Sequence, residues 1–332
     1  MPSYHLLRSP FRSFQTHPMR RLAVIHHRHM DWVPALQEAE PRLEIRGWHP
    51  REAMEADRDW LAGTEALFTW RFPSGFLARM PNLRWIQNSG AGVDHLVDNP
   101  EIGPDIVITR ADGAFGFWMA RYVVGHLLSD AQRLEEGRAS QERAAWNTKL
   151  IPEDLSGRIA LVVGFGRIGR QIGRALRELG MEVHGCVRTP RPDGEYPLHA
   201  TSGLPALLPH ARLLVLSAPL TEATRGLVDA RLLQQCTGDL LFINVGRGEQ
   251  VVAADLLAAL DAGHLGRAVL DVFPVEPLPS DSPLWSHPKI TITPHHSGPS
   301  TPRAMIPDIL DNLRRYAEGH APEAPVDRDR GY

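Results

Sequence analysis

Cysteine is nearly absent: 332 residues contain only Cys186 and Cys236, with no CxxC pairing. That excludes a disulfide framework and a cysteine metal site, and makes a reducing, cytoplasmic setting the expected one. No apolar run approaches the roughly 18 residues that a membrane span needs. Nor is there an excess of one charge. The 36 Lys and Arg stand against 39 Asp and Glu, a formal net charge of −3, so neither nucleic acid nor an anionic membrane is an expected partner. Residues 1–18 hold Arg8 and Arg12 but no acid and no sustained apolar core, and read as a flexible tail rather than a targeting peptide.

What is present is enough apolar residue, 43% of the chain, to bury a core in each of two ordinary domains. From Leu22 onward, strand-like apolar runs alternate with amphipathic stretches: Leu22–Ile25, Leu43–Arg46, Ala66–Thr69, Trp85–Asn88 and Ile106–Thr109. A second series follows Gly157: Ile159–Val163, Glu182–Cys186, Leu213–Ser217, Leu240–Asn244, Ala268–Leu270 and Ile290–Thr293. Such alternation belongs to parallel sheets covered by helices. The expected fold is α/β with two domains. A Rossmann dinucleotide-binding domain at 113–300 is inserted in a flavodoxin-like substrate domain formed by 1–112 and 301–332, the latter including a last helix at about 301–318.

Arg158 to Gly180 reads as strand, glycine turn and helix around Val163-Gly164-Phe165-Gly166-Arg167-Ile168-Gly169. Gly164 permits the tight turn, Gly166 lets backbone approach a pyrophosphate, and Gly169 lets helix and strand pack closely. The N–H groups of the helix start, at Arg167 and Ile168, then face the phosphates. About 20 residues further on, enzymes that use NAD carry an acid for the ribose 2′-hydroxyl. Here the strand ends in Val187-Arg188-Thr189, with Arg191 close behind. A carboxylate repels a 2′-phosphate, whereas a guanidinium grips it. NADPH is therefore the expected cofactor, with NADH as a possible second.

Three later segments offer one arginine, one glutamate and one histidine: Asn244–Gly248 with Arg247, Leu270–Pro277 with Glu276, and Thr293–His296 with His295. Imidazole titrates near neutrality and can protonate a keto oxygen. A paired Glu276 favours the imidazolium and fixes its orientation. Arg247 supplies a permanent planar fork for a substrate carboxylate and a developing oxyanion. Singly, each has an ordinary reading: a salt-bridge arginine, an exposed glutamate, one of 16 histidines. Together they follow strands of one domain, at the carboxyl ends where such sheets bind ligands. Of His295 and His296 only one can face the cleft. No second cluster at metal spacing accompanies them, so no metal is expected.

These motifs resemble the D-isomer-specific 2-hydroxyacid dehydrogenases over essentially everything from Arg20 onward. The resemblance implies the catalytic roles just given to Arg247, Glu276 and His295. It further implies that Asp271 contacts the nicotinamide carboxamide, and that Pro219 to Thr224 line the adenosine phosphate side. Ser89-Gly90-Ala91-Gly92-Val93-Asp94 looks like the family's substrate loop, whose N–H groups at Ala91 and Gly92 hold the substrate carboxylate. Val187-Arg188-Thr189, Leu284-Trp285-Ser286-His287-Pro288 and Val326–Tyr332 are similar to a branch that reduces glyoxylate to glycolate and hydroxypyruvate to glycerate with NADPH. Its members usually form homodimers through the cofactor domains. Arg121 departs from the glutamate that many relatives carry, and His296-Ser297-Gly298 from their usual sequel. Two alternatives stay open: a larger 2-keto acid turned over by the same mechanism, or a cofactor-sensing binding protein on this scaffold.

Overall fold

The computed structural model describes residues 20–111 and 113–331; the expected tail at 1–18 and Asp112, where the expected first segment ends, lie outside the described residues. The chain divides into two compact units, one reaching Ala114 and resuming at Ser300, the other Phe115–Pro299.

In the first unit β1 (Arg21–Ile25), β2 (Glu44–Trp48), β3 (Ala66–Thr69), β4 (Trp85–Asn88) and β5 (Val107–Thr109) form one parallel sheet in the order β2-β1-β3-β4-β5. That is the flavodoxin-like order. Alternate residues face opposite sides: Ala23, Ile25, Leu67, Ile86 and Ile108 enter one apolar cluster. On the other side Trp32 packs on Phe68 and Trp85 on Tyr316, with ring centroids 4.5 and 4.9 Å apart. Trp32 comes from the helix His29–Ala39 and Tyr316 from the helix Pro302–Ala317, and these two helices pack together.

The second unit holds β6 (Ile159–Val163), β7 (Glu182–Val187), β8 (Leu198–Ala200), β9 (Ala211–Leu216), β10 (Leu241–Asn244), β11 (Arg267–Leu270) and β12 (Ile290–Ile292). All are parallel, in the order β12-β11-β10-β9-β6-β7-β8. This is the doubly wound order of dinucleotide-binding sheets, with its reversal between β6 and β9. Both faces are covered, so the strands read as continuous apolar runs. Ala160, Val162, Leu213, Val215 and Ile243 fill one face; Leu161, Val163, Leu214, Leu216 and Phe242 fill the other. Against the six strands expected from the sequence there are seven; the addition is β8, a three-residue edge strand of half-buried residues. Both cysteines sit in this unit; burial pushes each thiol up to about 12. At the amino ends of the strands, buried Arg212 pairs with Asp130 and Glu153. Among the described residues, no helix is long and apolar enough to cross a membrane, and no group of three or more His, Cys, Asp or Glu is arranged to hold a metal ion.

Candidate active site

At the switch between β6 and β9, Gly164 adopts φ +89°, and a Cβ there would lie 2.4 Å from the Ala218 backbone. Only glycine passes both tests. A Cβ on Gly169 would stand 2.2 Å from the Gly164 carbonyl oxygen, so strand and helix approach as closely as the fingerprint requires. Gly166 differs. Open space surrounds its missing Cβ, and it caps the helix Arg167–Glu178 without a side chain over the first turn. Unobstructed backbone at a 12-residue helix N-terminus fits the diphosphate of a dinucleotide.

Registry of Val163 with Cys186 puts Val187 just beyond the glycine turn, followed by exposed Arg188 and Thr189. On the other flank, the Thr224 hydroxyl donates to the Pro219 carbonyl at 2.8 Å and accepts from the Thr221 N–H at 2.8 Å. Thr224 thus shapes the loop after β9. Gln250, fully buried, completes that loop by donating to the Ala218 and Pro219 carbonyls at 3.3 and 3.1 Å.

Gln250 also accepts the Arg247 N–H at 2.9 Å, while Asn244 Nδ2 donates to the Arg247 carbonyl at 3.0 Å. The backbone of Arg247 is braced from both ends as it leaves β10. The next residue, Gly248, abuts the Phe273–Pro274 backbone so tightly that a Cβ would lie 2.0 Å from the Phe273 carbonyl carbon. That contact joins the arginine turn to the turn bearing Glu276.

Glu276 Oε1 accepts the Phe273 N–H at 2.9 Å, and Oε2 accepts from His295 Nδ1 at 2.8 Å. Burial pushes its carboxyl upward. The His295 hydrogen bond, the Phe273 N–H and the charges of His295 and Arg247 outweigh that and hold it below the usual glutamate range. With Nδ1 engaged, Nε2 is the nitrogen of His295 left for a substrate. His295 itself has φ +51°, a left-handed conformation unusual for a side chain of its size.

Asp271 explains how that backbone is held. Its carbonyl accepts the His295 N–H at 2.9 Å; its carboxylate accepts the N–H groups of His296 and Ser297 at 2.9 and 3.0 Å. The Thr293 hydroxyl donates to the same carboxylate at 2.6 Å, which leaves Tyr122 as the donor in its 2.6 Å bond to Thr293. Burial and the Asp271 charge push the Tyr122 phenol well above its ordinary range, against the opposing pull of the Thr293 hydrogen bond. The adjacent histidines are thereby sorted: His295 meets Glu276, and the His296 ring stands edge-on to Tyr122, centroids 5.8 Å apart. Sequence reading gave no role to Tyr122, Gln250 or Thr293. The only hint was a polar residue beside an apolar strand end.

In the first unit, the loop after β4 is folded by Asn88, whose Nδ2 donates to the Gly90 and Gly92 carbonyls at 2.9 and 2.7 Å. Ala91 and Gly92 are half-buried on it. The Trp70 ring lies against Gly90, where a Cβ would be 2.3 Å away. His95 hydrogen-bonds the Trp70 carbonyl at 2.5 Å. Arg121, on the helix Gly113–Ala131, covers the exposed Phe117 ring from 3.8 Å.

A family model described as the D-isomer specific 2-hydroxyacid dehydrogenase NAD binding domain matches residues 124–297. A curated protein of Yersinia enterocolitica, glyoxylate/hydroxypyruvate reductase A, is 31% identical over 308 residues, 91% of this chain and 96% of its own length. The crystal structure of a D-isomer specific 2-hydroxyacid dehydrogenase from Xanthobacter autotrophicus, in complex with NADPH and MES, is similar with a TM-score of 0.86 and 35% identity, covering 95% of this chain and 100% of that one. An NADPH-dependent glyoxylate/hydroxypyruvate reductase from Sinorhizobium meliloti, in complex with NADP and sulfate, gives 0.83 and 30%, covering 94% and 100%.

Proposed function

The chain belongs to the D-isomer specific 2-hydroxyacid dehydrogenases, and from that premise we propose that it reduces glyoxylate to glycolate and hydroxypyruvate to D-glycerate, using NADPH. The observation that carries the reading is the 2.8 Å pair of His295 Nδ1 and Glu276 Oε2, on the turns that follow β12 and β11. When bound, the dihydronicotinamide supplies the hydride taken up by the keto carbon. His295 gives its Nε2 proton to the keto oxygen, which becomes the hydroxyl, and regains a proton from solvent. Glu276, charged across the working range, balances the imidazolium and keeps Nε2 pointed outward. Arg247 receives the substrate carboxylate and stabilises negative charge growing on the keto oxygen. The N–H groups of Ala91 and Gly92 are assigned to the carboxylate. Asp271 is assigned to the carboxamide side of the cofactor, and Gly164, Gly166, Arg167, Ile168, Gly169, Pro219 and Thr224 to its phosphates.

Support for NADPH comes from Val187 in the acid's place, exposed Arg188 and Thr189 after it, and similar proteins crystallised with NADPH or NADP. NADH is expected to serve less well. The Trp70 ring against Gly90, in the carboxylate loop, favours a small substrate over a larger 2-keto acid. A homodimer through the cofactor unit is supported by apolar side chains left in water there: Phe117, Trp118, Leu134, Ile151 and Trp146, the last 95% exposed. Two unpaired thiols suit the cytoplasm.

Initial rates of NADPH and NADH oxidation with glyoxylate, hydroxypyruvate, pyruvate and phenylpyruvate test the proposal. Fast NADPH turnover with the first two is expected. Turnover confined to phenylpyruvate would replace the substrate. Tight cofactor binding without turnover would replace enzyme by sensor.

A further inference from the structure

The loop between β7 and β8 carries Arg188 and Arg191, both exposed, yet it is tied to the helix Arg167–Glu178 at several points. Arg170, in the first turn of that helix, pairs with Asp193. The Asp193 side chain is only 11% exposed and also accepts the Tyr196 N–H at 3.2 Å. Hydrogen bonding to Arg170 holds the Asp193 carboxyl below its usual range against the upward push of burial. Two turns along, Arg177 donates to Glu195 at 2.8 Å and lies over the Tyr196 ring at 4.8 Å. Tyr196 packs edge-on against Phe165, 5.0 Å between centroids, and Arg170 covers the same Phe165 from 5.3 Å. Phe165 stands between Gly164 and Gly166, so the loop is fastened to the phosphate turn itself.

An isolated, partly exposed ion pair is worth little. This one belongs to a network with a mostly buried carboxylate, two cation–π contacts and an aromatic pair, which holds geometry better than its members singly. The chain between anchor and strand is stiff as well. Thr189 and Arg191 each precede a proline, which biases them to extended backbone, and Pro190 and Pro192 have fixed φ. Fixing Asp193 at one end and Val187 at the other therefore fixes the backbone from which the two guanidinium groups reach out.

We propose that Arg170 and Asp193 are positioning residues for cofactor specificity: their pairing holds the Arg188–Arg191 segment where it meets the ribose 2′-phosphate. The proposal rests on the NADPH reading given above. It has a sharp competitor in the same geometry, because an arginine in the first turn of the phosphate helix, once released from Asp193, would itself attract a phosphate.

Asp193→Asn separates the two. Dissociation constants of NADPH and NADH are measured by nicotinamide fluorescence for the full-length protein, with kcat/KM for both cofactors alongside. Wild-type protein should bind NADPH more tightly. In Asp193→Asn the NADPH constant should rise about tenfold, with the NADH constant nearly unchanged, and Arg170→Met should match it. Asp193→Glu, which can restore the pair, should retain most of the preference. Tighter NADPH binding by Asp193→Asn, equal weakening of both cofactors, or an unchanged ratio would overturn the proposal. A wild-type protein indifferent to the 2′-phosphate would remove the NADPH reading, and this one with it.

Discussion

The carbonyl oxygen of Asp271 accepts the backbone N–H of His295 at 2.9 Å, and the Asp271 carboxylate accepts the next two N–H groups of the same turn. One buried residue thereby sets the backbone of the proposed proton donor, which stands in a left-handed conformation. The imidazole is aimed independently, through Glu276.

Replacing His295 with Gln removes the proton donor and leaves the glycine cradle intact. Turnover should fall about 10²–10⁴-fold, with NADPH affinity preserved. Steady-state rates alongside fluorescence titration of NADPH check this; turnover near wild type would remove His295 from the mechanism.

Glu276→Gln deletes a carboxylate held below its ordinary range. A depressed carboxyl contributes stability that is complete above its unfolded pKa and lost as pH falls through the folded one. The gap in Tm between wild type and Glu276→Gln should therefore be constant at neutral and mildly acidic pH, and close only in stronger acid. Thermal melts across that range read it directly. A gap undiminished in strong acid, where the carboxylate takes up its proton, would refute the pairing.

Arg188→Asp should weaken NADPH by about tenfold or more and leave NADH little changed. Competition by 2′-phosphorylated and unphosphorylated adenosine nucleotides provides the measurement. An unchanged ratio would assign the 2′-phosphate to another residue.

Thr293→Val strands the Tyr122 hydroxyl and removes a donor from Asp271, at a cost of about 1–3 kcal/mol read by denaturant unfolding. Thr293→Ser should recover most of it, because the hydroxyl is the part in use.

Gly166 and Gly169 should behave oppositely. Gly169→Ala forces a methyl group onto the Gly164 carbonyl and should destabilise by about 1–3 kcal/mol. Gly166→Ala meets only open space, so Tm should hold while NADPH binding weakens.

Most of this architecture was legible in the chain because both sheets are parallel and buried on both faces. Their strands are therefore apolar runs bounded by turn residues, and Ala66–Thr69, Trp85–Asn88 and Ile159–Val163 were legible to the residue. β8 left no such signal because Leu198-His199-Ala200 carries a single large apolar residue, whereas the equally half-buried edge strand β12, Ile290-Thr291-Ile292, is β-branched throughout. The proposed catalytic residues stood out because the chemistry needs an ionisable side chain at a strand end. Their supports did not. Tyr122 reaches Thr293 across 171 positions and Thr293 reaches Asp271 across 22, distances over which local pattern carries no information. Of the two neighbouring histidines, the resemblance pointed to His295, but its pairing with Glu276 depends on the turn that Asp271 holds, which local pattern does not show.

The two thiols have a practical consequence. Cys186 and Cys236 are buried, and each is pushed up to about 12, so at neutral pH almost no thiolate exists to react. The natural chain should be silent toward maleimides while folded. One cysteine introduced at exposed Glu222, in the loop after β9, would then be the sole labelling position, and a fluorophore there would report cofactor arrival without a cysteine-free background having to be built first.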